Sequence, residues 1–231
     1  MTMADLLSIG ILPVLLTLLA FRLGQFIQAK TKSPICNPIL LAMVLVLLFL
    51  KGTGMELATY QKGMSMLSWL MTPATVCLAI SMYEQFQVLR KNTPMILAGV
   101  AAGAISCLIL VIGFGMIAGF DRELTVSLLP KSVTTAIGVP LSQMSGGLTP
   151  VTTAAIILTG IMANVLGSAL CRLFRLTDKI AQGAAFGTAG HVIGTAKATE
   201  LDPLTGAVSS LSLVVAGLLT AIVLPLLANF I

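Results

Sequence analysis

Gly187-Thr-Ala-Gly-His-Val-Ile-Gly-Thr-Ala-Lys-Ala-Thr-Glu200 is a polar, small-residue stretch in a chain whose other segments are mostly apolar. It contains the only histidine, His191, together with Lys197, Glu200 and three threonines, although only 9% of all residues are charged. A solvated loop of this length would rarely hold so many Gly and Ala residues and so little charge. We therefore interpret the stretch as a functional segment that is buried within a membrane protein.

The composition of the whole chain is typical of integral membrane proteins. Of its 231 residues, 57% are hydrophobic, and the mean hydropathy is +1.05, whereas soluble domains contain roughly 45–50% apolar residues. Several apolar runs reach the roughly 20 residues that cross about 30 Å of hydrocarbon at about 1.5 Å per residue. Because a membrane span must satisfy its own backbone and the alternation of barrel strands is missing, we expect helices.

The apolar runs predict an all-α integral membrane protein, a multi-span helical bundle of seven or eight membrane segments. Asp5 and the lack of a basic region before the first run favour a retained helix over a signal peptide. Two further regions, 64–82 and 128–140, are interrupted by prolines. We expect the first of these, around Pro73, to be a broken helix or a re-entrant hairpin. The uninterrupted runs cover about 6–21, 35–50, 94–120, 150–170 and 204–231.

The net charge of +5 indicates orientation in the lipid bilayer. It is scattered over short loops and includes no run of Lys or Arg that tracks phosphates, so we expect no nucleic-acid binding. We assign Arg22, Lys30 and Lys32 to a loop after the first apolar run. This is the most basic loop, and the positive-inside rule places it in the cytoplasm with the N-terminus outside.

Enzyme chemistry finds little support in the sequence. The single histidine argues against a multi-histidine metal site, and the four cysteines are too widely separated to suggest a zinc cluster. No GxSxG, HExxH or GxxxxGK[ST] arrangement is present. We expect no catalytic residue, no bound metal and no organic cofactor, with a coupling proton or sodium ion left open. The cysteines, interpreted as buried free thiols, are Cys36, Cys77, Cys107 and Cys171.

Residues that recur at a nearly constant spacing indicate an internal duplication. Repeat 1 covers about residues 1–118 and repeat 2 about 121–231, within one membrane domain, 1–231. Secondary transporters are often built from two such repeats whose broken helices meet near the bilayer midplane. The positive-inside rule favours inverted repeats, because the basic region 172–179 then lies inside. The pairs are Pro34 and Pro150, Thr72 and Thr188, Val76 and Val192, and Glu84 and Glu200 at a spacing of 116, and Pro13 and Pro130, and Thr17 and Thr134, at 117.

The stretch Pro130-Lys131-Ser132-Val133-Thr134-Thr135 has the components of an anion site. An interrupted helix exposes N–H groups at the start of its second half, where an anion is favoured. Lys131 adds a full charge, and Ser132, Thr134 and Thr135 are donors for a carboxylate. The alternative is that Lys131 extends from a helix end to the membrane interface, since it follows Arg122 by only nine positions. Intramembrane ionisable residues tend to be functional, which favours the site.

The candidate substrate-binding residues of the opening stretch are Thr188, His191, Gly194, Thr195 and Lys197. A lone histidine is more often structural, but within a broken segment it is also suited to relaying a proton. Lys197 and Glu200 have the spacing of a local helical pair, which is the alternative to a binding role for Lys197. Asn37, near the start of the second apolar run, is either a ligand contact or a helix cap.

Three segments resemble the signature segments of the LrgB/CidB family, and the similarity covers nearly the whole chain. They are Leu128-Leu129-Pro130-Lys131-Ser132-Val133-Thr134-Thr135, Gly187-Thr-Ala-Gly-His191, and Gly194-Thr-Ala-Lys-Ala-Thr-Glu200-Leu-Asp202. Asn37-Pro38 and Tyr83-Glu84-Gln85 are similar to earlier family segments. Lys197 stands where other members often have Arg, which keeps the charge but loses the bidentate fork.

The resemblance implies one of two functions. A plastid relative is a glycolate/glycerate translocator and some bacterial pairs are associated with pyruvate transport, which implies a secondary-type transporter of small monocarboxylates. Bacterial members are described as antiholin-like proteins linked to murein hydrolase activity and autolysis, which implies a regulator without transport of its own. The duplicated, broken segments favour transport.

The resemblance also implies partners and a location. We expect a small carboxylate as substrate and a separate small membrane protein of the LrgA/CidA type, because the chain lacks the LrgA-like part of the plastid relative. A homo-oligomer, namely a dimer, is expected. The location implied is the bacterial cell membrane, inner or plasma, with several passes through the lipid bilayer.

Overall fold

The computed structural model describes residues 11–31 and 38–230, and in this part of the chain the helices are joined by short turns and no strand is present. The all-α prediction is therefore confirmed for these residues. In chain order the helices are α1 Leu12–Thr31, α2 Pro38–Thr53, α3 Leu57–Gly63, α4 Ser65–Trp69, α5 Met71–Glu84, α6 Phe86–Ala118, α7 Arg122–Leu128, the 3-10 turn Leu129–Ser132, α8 Thr135–Met144, α9 Thr149–Leu173, α10 Lys179–Leu201 and α11 Pro203–Ala228.

Within the described residues, four helices are long and apolar enough to cross a membrane: α1, α6, α9 and α11. Helix α2 is also apolar but has only 16 residues. These helices agree with the predicted membrane bundle. The count of seven or eight segments and the inverted repeats stay predictions.

The predicted loop containing Arg22 and Lys30 is wrong for these two residues, because α1 continues to Thr31. Long, unbranched side chains lose little rotamer freedom in a helix, and Arg22 donates to Gln25 Oε1 at 3.4 Å, three residues further along. Lys30 lies in the last turn of α1, whereas Arg22 lies near the middle of the helix. Lys32 lies outside the described residues.

The interruption expected at Pro73 lies instead at Leu70, between α4 and α5. Pro73 occupies the first turn of α5, where backbone N–H groups have no partner within the helix and the missing donor costs little. The proline therefore stands near a helix start, and α5 continues unbroken to Glu84. Similarly, Pro94 lies inside α6, which begins at Phe86, eight residues before the predicted start of this span.

The chain divides into two compact units, residues 1–77 and 78–231. In the first unit α1 packs against α2 through a small core of Ala20, Ala42, Val46 and Leu50. The Thr17 hydroxyl there donates to Pro13 O at 2.7 Å and lies 2.6 Å from the Tyr60 hydroxyl. The predicted repeat boundary near residues 118–121 stays a prediction.

The second unit is organised by α10 and α11, which pack along their lengths and also contact α6. Glycines allow this close approach: a methyl group at residue 183 would lie 2.6 Å from Thr205 O. Small residues at such interfaces let helix backbones pack closely in lipid. The main apolar core of this unit contains Leu89, Ile96, Val100, Ala207, Val208 and Ala216. The candidate site lies entirely within this unit.

Candidate functional site

The first helix break in the second unit lies between α7 and α8. Pro130 has no backbone N–H, and the chain narrows there into the 3-10 turn that ends at Ser132. Val133 is extended, with φ −108° and ψ 173°, and its N–H donates to Pro130 O at 3.2 Å. Helix α8 then begins after Thr134, whose side chain makes no capping hydrogen bond. The break expected at Pro130 is therefore present, whereas the second interruption expected in 128–140 is not, because Pro140 lies inside α8.

The second break lies at His191, in the middle of α10. Its φ of 41° and ψ of −136° are non-helical and divide α10 into two half-helices, 179–190 and 192–201. This backbone region is essentially reserved for glycine, and its cost of about 1–3 kcal/mol requires compensation by the surroundings. The break expected in the opening stretch is therefore present, and its pivot is the histidine itself.

Side-chain contacts of His191 hold the second break in place. The ring is buried, with Nε2 3.0 Å from Ile156 O on α9, and the His191 carbonyl accepts from Thr195 Oγ1 at 2.8 Å. Space for the ring exists because residue 160 is glycine: a methyl group there would lie 2.6 Å from Nε2. His191 therefore fixes the geometry of the break by packing and hydrogen bonding.

A cavity of about 890 Å³ lies between α6, α9, α10 and the 3-10 turn. Most of its wall is apolar, with Ile96, Met162 and Leu166 among the lining residues. Polar side chains from both broken regions meet here. They are Lys131 and Ser132 from the first break and Thr188 from the half-helix before the second break, with Thr159 from α9 and Cys107 from α6.

Lys131 lies at this cavity without a counter-charge. Its Nζ is 3.4 Å from Ser132 Oγ, and no carboxylate of the described chain lies within 4.0 Å of it. Ser132 Oγ in turn lies 3.4 Å from Cys107 Sγ. A half-buried ammonium group with one weak partner is available to an anion.

The depth of Lys131 follows from α6. Cys107, which contacts Ser132, lies near the middle of the apolar stretch 95–118. Roughly 16 to 18 Å of helix separate it from either end of that stretch at about 1.5 Å per residue. This position is nearer the membrane centre than the interface, which favours the site interpretation over a lysine that extends to the headgroups.

Thr188 presents an unused hydrogen-bonding group to the same cavity. Its Oγ1 is shielded from solvent and has no hydrogen-bond partner among the described residues. Its methyl group faces Gly103 on α6, where an added methyl would lie 3.1 Å away. A buried hydroxyl without a partner costs about 1–3 kcal/mol, and a ligand oxygen in the cavity would remove that cost.

The other predicted residues that lie within the described part of the chain do not line this cavity. Thr134 is half-buried and Thr135 is exposed on α8. Gly194 and Thr195 are buried in the second half of α10, and Thr195 Oγ1 lies 2.9 Å from Ser209 Oγ on α11. Lys197 pairs with Glu200 at 2.8 Å, which is the local helical pair that was the alternative to a binding role. Asn37 lies outside the described residues.

Sequence reasoning missed the contribution of α6. Gly99, Gly103 and Cys107 recur every four residues within an apolar span and therefore occupy one helix face. All three line the cavity. Small residues repeated at intervals of four along an apolar helix were the available signal.

Asp202 joins α10 to α11 outside the long apolar helices. It accepts from Lys179 Nζ at 2.6 Å, and its second oxygen accepts from Leu204 N at 2.9 Å at the start of α11. The hydrogen bond from Lys179, supported by these backbone donors, lowers the pKa of Asp202 below its ordinary value. The contact ties the start of α10 to the start of α11.

The fold and the site together define an all-α membrane protein with two helix breaks beside a cavity. The sequence model of the LrgB-like family matches residues 17–230. Because the match covers nearly the whole chain, the chain belongs to the LrgB-like family. No solved structure matches the chain.

Proposed function

We propose that the protein is a secondary-type transporter of small monocarboxylates such as pyruvate, glycolate or glycerate. The observation that carries the proposal is Lys131, a cation without a counter-charge among the described residues, which lies beside the middle of the apolar stretch 95–118 and at the wall of a cavity. Ser132 and Thr188 add hydroxyl groups at the same cavity. A carboxylate would pair with Lys131 and accept hydrogen bonds from the hydroxyls.

The two helix breaks support transport over a purely structural role. Broken helices in transporters supply polar backbone groups near the substrate site. Here the 3-10 turn and the half-helix before His191 both reach the cavity wall. A protein that only assembles with others has no need for such strained backbone, which costs stability.

Further parts of the proposal rest on membership of the LrgB-like family. We expect a homodimer in the bacterial inner membrane that works with an LrgA/CidA-type small membrane protein. A proton or sodium ion is the expected coupling ion. His191 is buried against Ile156, so its role in the proposal is to hold the break rather than to contact substrate.

Uptake of labelled pyruvate and glycolate into proteoliposomes tests the proposal. We expect Lys131→Gln to lower uptake by about 10- to 100-fold, because hydrogen bonds to charged groups contribute about 1.5–3 kcal/mol. The matched control is Lys197→Gln, since Lys197 is paired with Glu200 away from the cavity, and its uptake should stay within about twofold of wild type.

Two results would contradict the proposal in different ways. Equal uptake by wild type and Lys131→Gln would remove Lys131 from the substrate site. No uptake of any short carboxylate by the intact protein, with and without the LrgA/CidA-type partner, would favour the alternative function. That alternative is an antiholin-like regulator of murein hydrolase activity and autolysis that transports nothing itself.

A further inference from the structure

A second cavity lies on the other side of Lys131. It has a volume of about 500 Å³ and is bordered by Ser106, Leu110 and Phe114 of α6 and by Leu128 of α7. It shares Gly103, Cys107 and Lys131 with the larger cavity. The two cavities therefore meet at one narrow group of residues.

Both cavities follow a single face of α6. Lining residues along this helix are spaced by three or four positions, the pattern of one helix face; they are Met95, Gly99, Gly103, Cys107, Leu110 and Phe114. From the first to the last of these the helix rises roughly 28 Å at about 1.5 Å per residue. This length is close to the about 30 Å thickness of the hydrocarbon layer.

The charges at the two ends differ. Near the end of the larger cavity, α6 carries Arg90 and Lys91, and the segment after α9 carries Arg175 and Asp178, of which Asp178 lines the cavity. Near the other end lie Asp121 and Glu123, with Arg122 between them. The positive-inside rule places the larger cavity towards the cytoplasm and the smaller one towards the outside.

We propose that the two cavities are vestibules on opposite sides of the membrane, and that Lys131 with the facing Gly103–Cys107 segment of α6 is the barrier between them. This inference rests on the proposed function and adds to it the path of the substrate through the protein and the position of the barrier that closes that path. The carboxylate site and the barrier are then the same place. A bound anion would neutralise the cation that separates the vestibules.

Cysteine labelling tests the barrier in the full chain. In a background with the four native cysteines replaced by serine, Gly99→Cys reports on the larger cavity and Ser106→Cys on the smaller. Gly99 has no atom within 4 Å of an added side-chain carbon, and serine and cysteine are similar in size, so both changes should be tolerated. The probe is an anionic, membrane-impermeant methanethiosulfonate, applied to inside-out and right-side-out vesicles.

We expect Gly99→Cys to be labelled only from the cytoplasmic face and Ser106→Cys only from the outer face. The matched controls are Leu97→Cys and Ile105→Cys, exposed neighbours on α6 that line neither cavity. Neither control should be labelled from either face. If Gly99→Cys does not fold, Thr159→Cys on α9 reports on the same cavity.

Labelling of both test positions from the same face would overturn the inference, as would an unreactive Ser106→Cys beside a reactive Gly99→Cys. Lys131→Ala, added to either single-cysteine chain, should allow labelling from both faces, and unchanged one-sided labelling would assign the barrier elsewhere. Uptake by the wild-type chain separates the two proposals. Wild-type uptake with the wrong labelling pattern refutes the barrier alone, whereas one-sided labelling without wild-type uptake refutes transport.

Discussion

Two pairs of positions at the spacing of the proposed duplication behave differently in the two halves of the chain. Helix α1 runs unbroken through Thr17, whereas the chain is broken at Thr134, 117 positions later. Helix α5 runs unbroken through Thr75, whereas α10 is broken at His191, 116 positions later. In each pair the helix is therefore broken only at the later position. Both breaks adjoin the cavity.

The contacts around each position explain part of the difference. Thr17 directs its hydroxyl back to Pro13 O and to Tyr60, within ordinary helical geometry. Thr134 makes no such bond and follows an extended residue. In the second half the helices are broken at these positions, and a cation and two hydroxyl groups, Lys131, Ser132 and Thr188, line the adjoining cavity.

The largest loss of stability is expected from filling the space beside the His191 ring at the second helix break. Gly160→Ala places a methyl group against the His191 ring, and overpacking of this kind costs about 1–3 kcal/mol. The denaturant midpoint in detergent should fall accordingly. Gly113→Ala is the control, because no atom lies within 4 Å of the added carbon and the residue is inside α6. An equally stable Gly160→Ala would show that the ring is free to move.

Glycine and alanine substitutions should have opposite orders of stability at His191 and at Thr75, the position 116 residues earlier. At residue 191 the positive φ favours glycine, so His191→Gly should be more stable than His191→Ala by about 1 kcal/mol. Residue 75 lies inside a continuous helix, so Thr75→Ala should be more stable than Thr75→Gly by about 1 kcal/mol. The free energy of unfolding of the four variants measures both differences. The same order at both positions would end the distinction between the halves.

The smallest effect concerns the link between α10 and α11 and depends on pH. Because Lys179 lowers the pKa of Asp202 in the folded protein, this pair stabilises the fold above the ordinary pKa of about 3.8. The contribution is lost as the pH falls through the lowered folded value. Thermal unfolding of wild type and Asp202→Asn should differ at pH 7 and converge as the pH falls below the lowered folded pKa of Asp202. A constant difference at all pH values would mean that the charge is not involved.

Much of the fold was predictable because it follows from composition and period. The spans 150–170 and 204–231 agree with α9 and α11 to within a few residues, since long apolar runs in lipid have little choice but helix. The break near Pro130 was predictable because proline removes a backbone donor, but Pro94 and Pro140 lie inside continuous helices. The break predicted at Pro73 was misplaced because the energetic cost of a proline depends on its distance from the start of the helix.

The site was only partly predictable. Lys131, Ser132 and Thr188 were selected by their polarity in an apolar chain, and the structure places them at one cavity. Thr195 and Lys197 were selected for the same reason but bond to Ser209 and Glu200. Polarity along the chain marks residues that need a partner, but it does not say whether the partner is a ligand or a neighbouring side chain.

The sequence by itself determined that this is an all-α membrane protein of the LrgB-like family, with helix breaks near Pro130 and within the opening stretch. The hydropathy of a segment and the missing N–H of a proline are local properties, so they can be recognised from the sequence alone. Only the tertiary structure decided that His191 is the pivot, that no carboxylate of the described residues pairs with Lys131 and that two cavities meet beside it. These properties depend on which helices approach each other, and that approach depends on glycines such as Gly160 and Gly183, whose partners are distant in the chain.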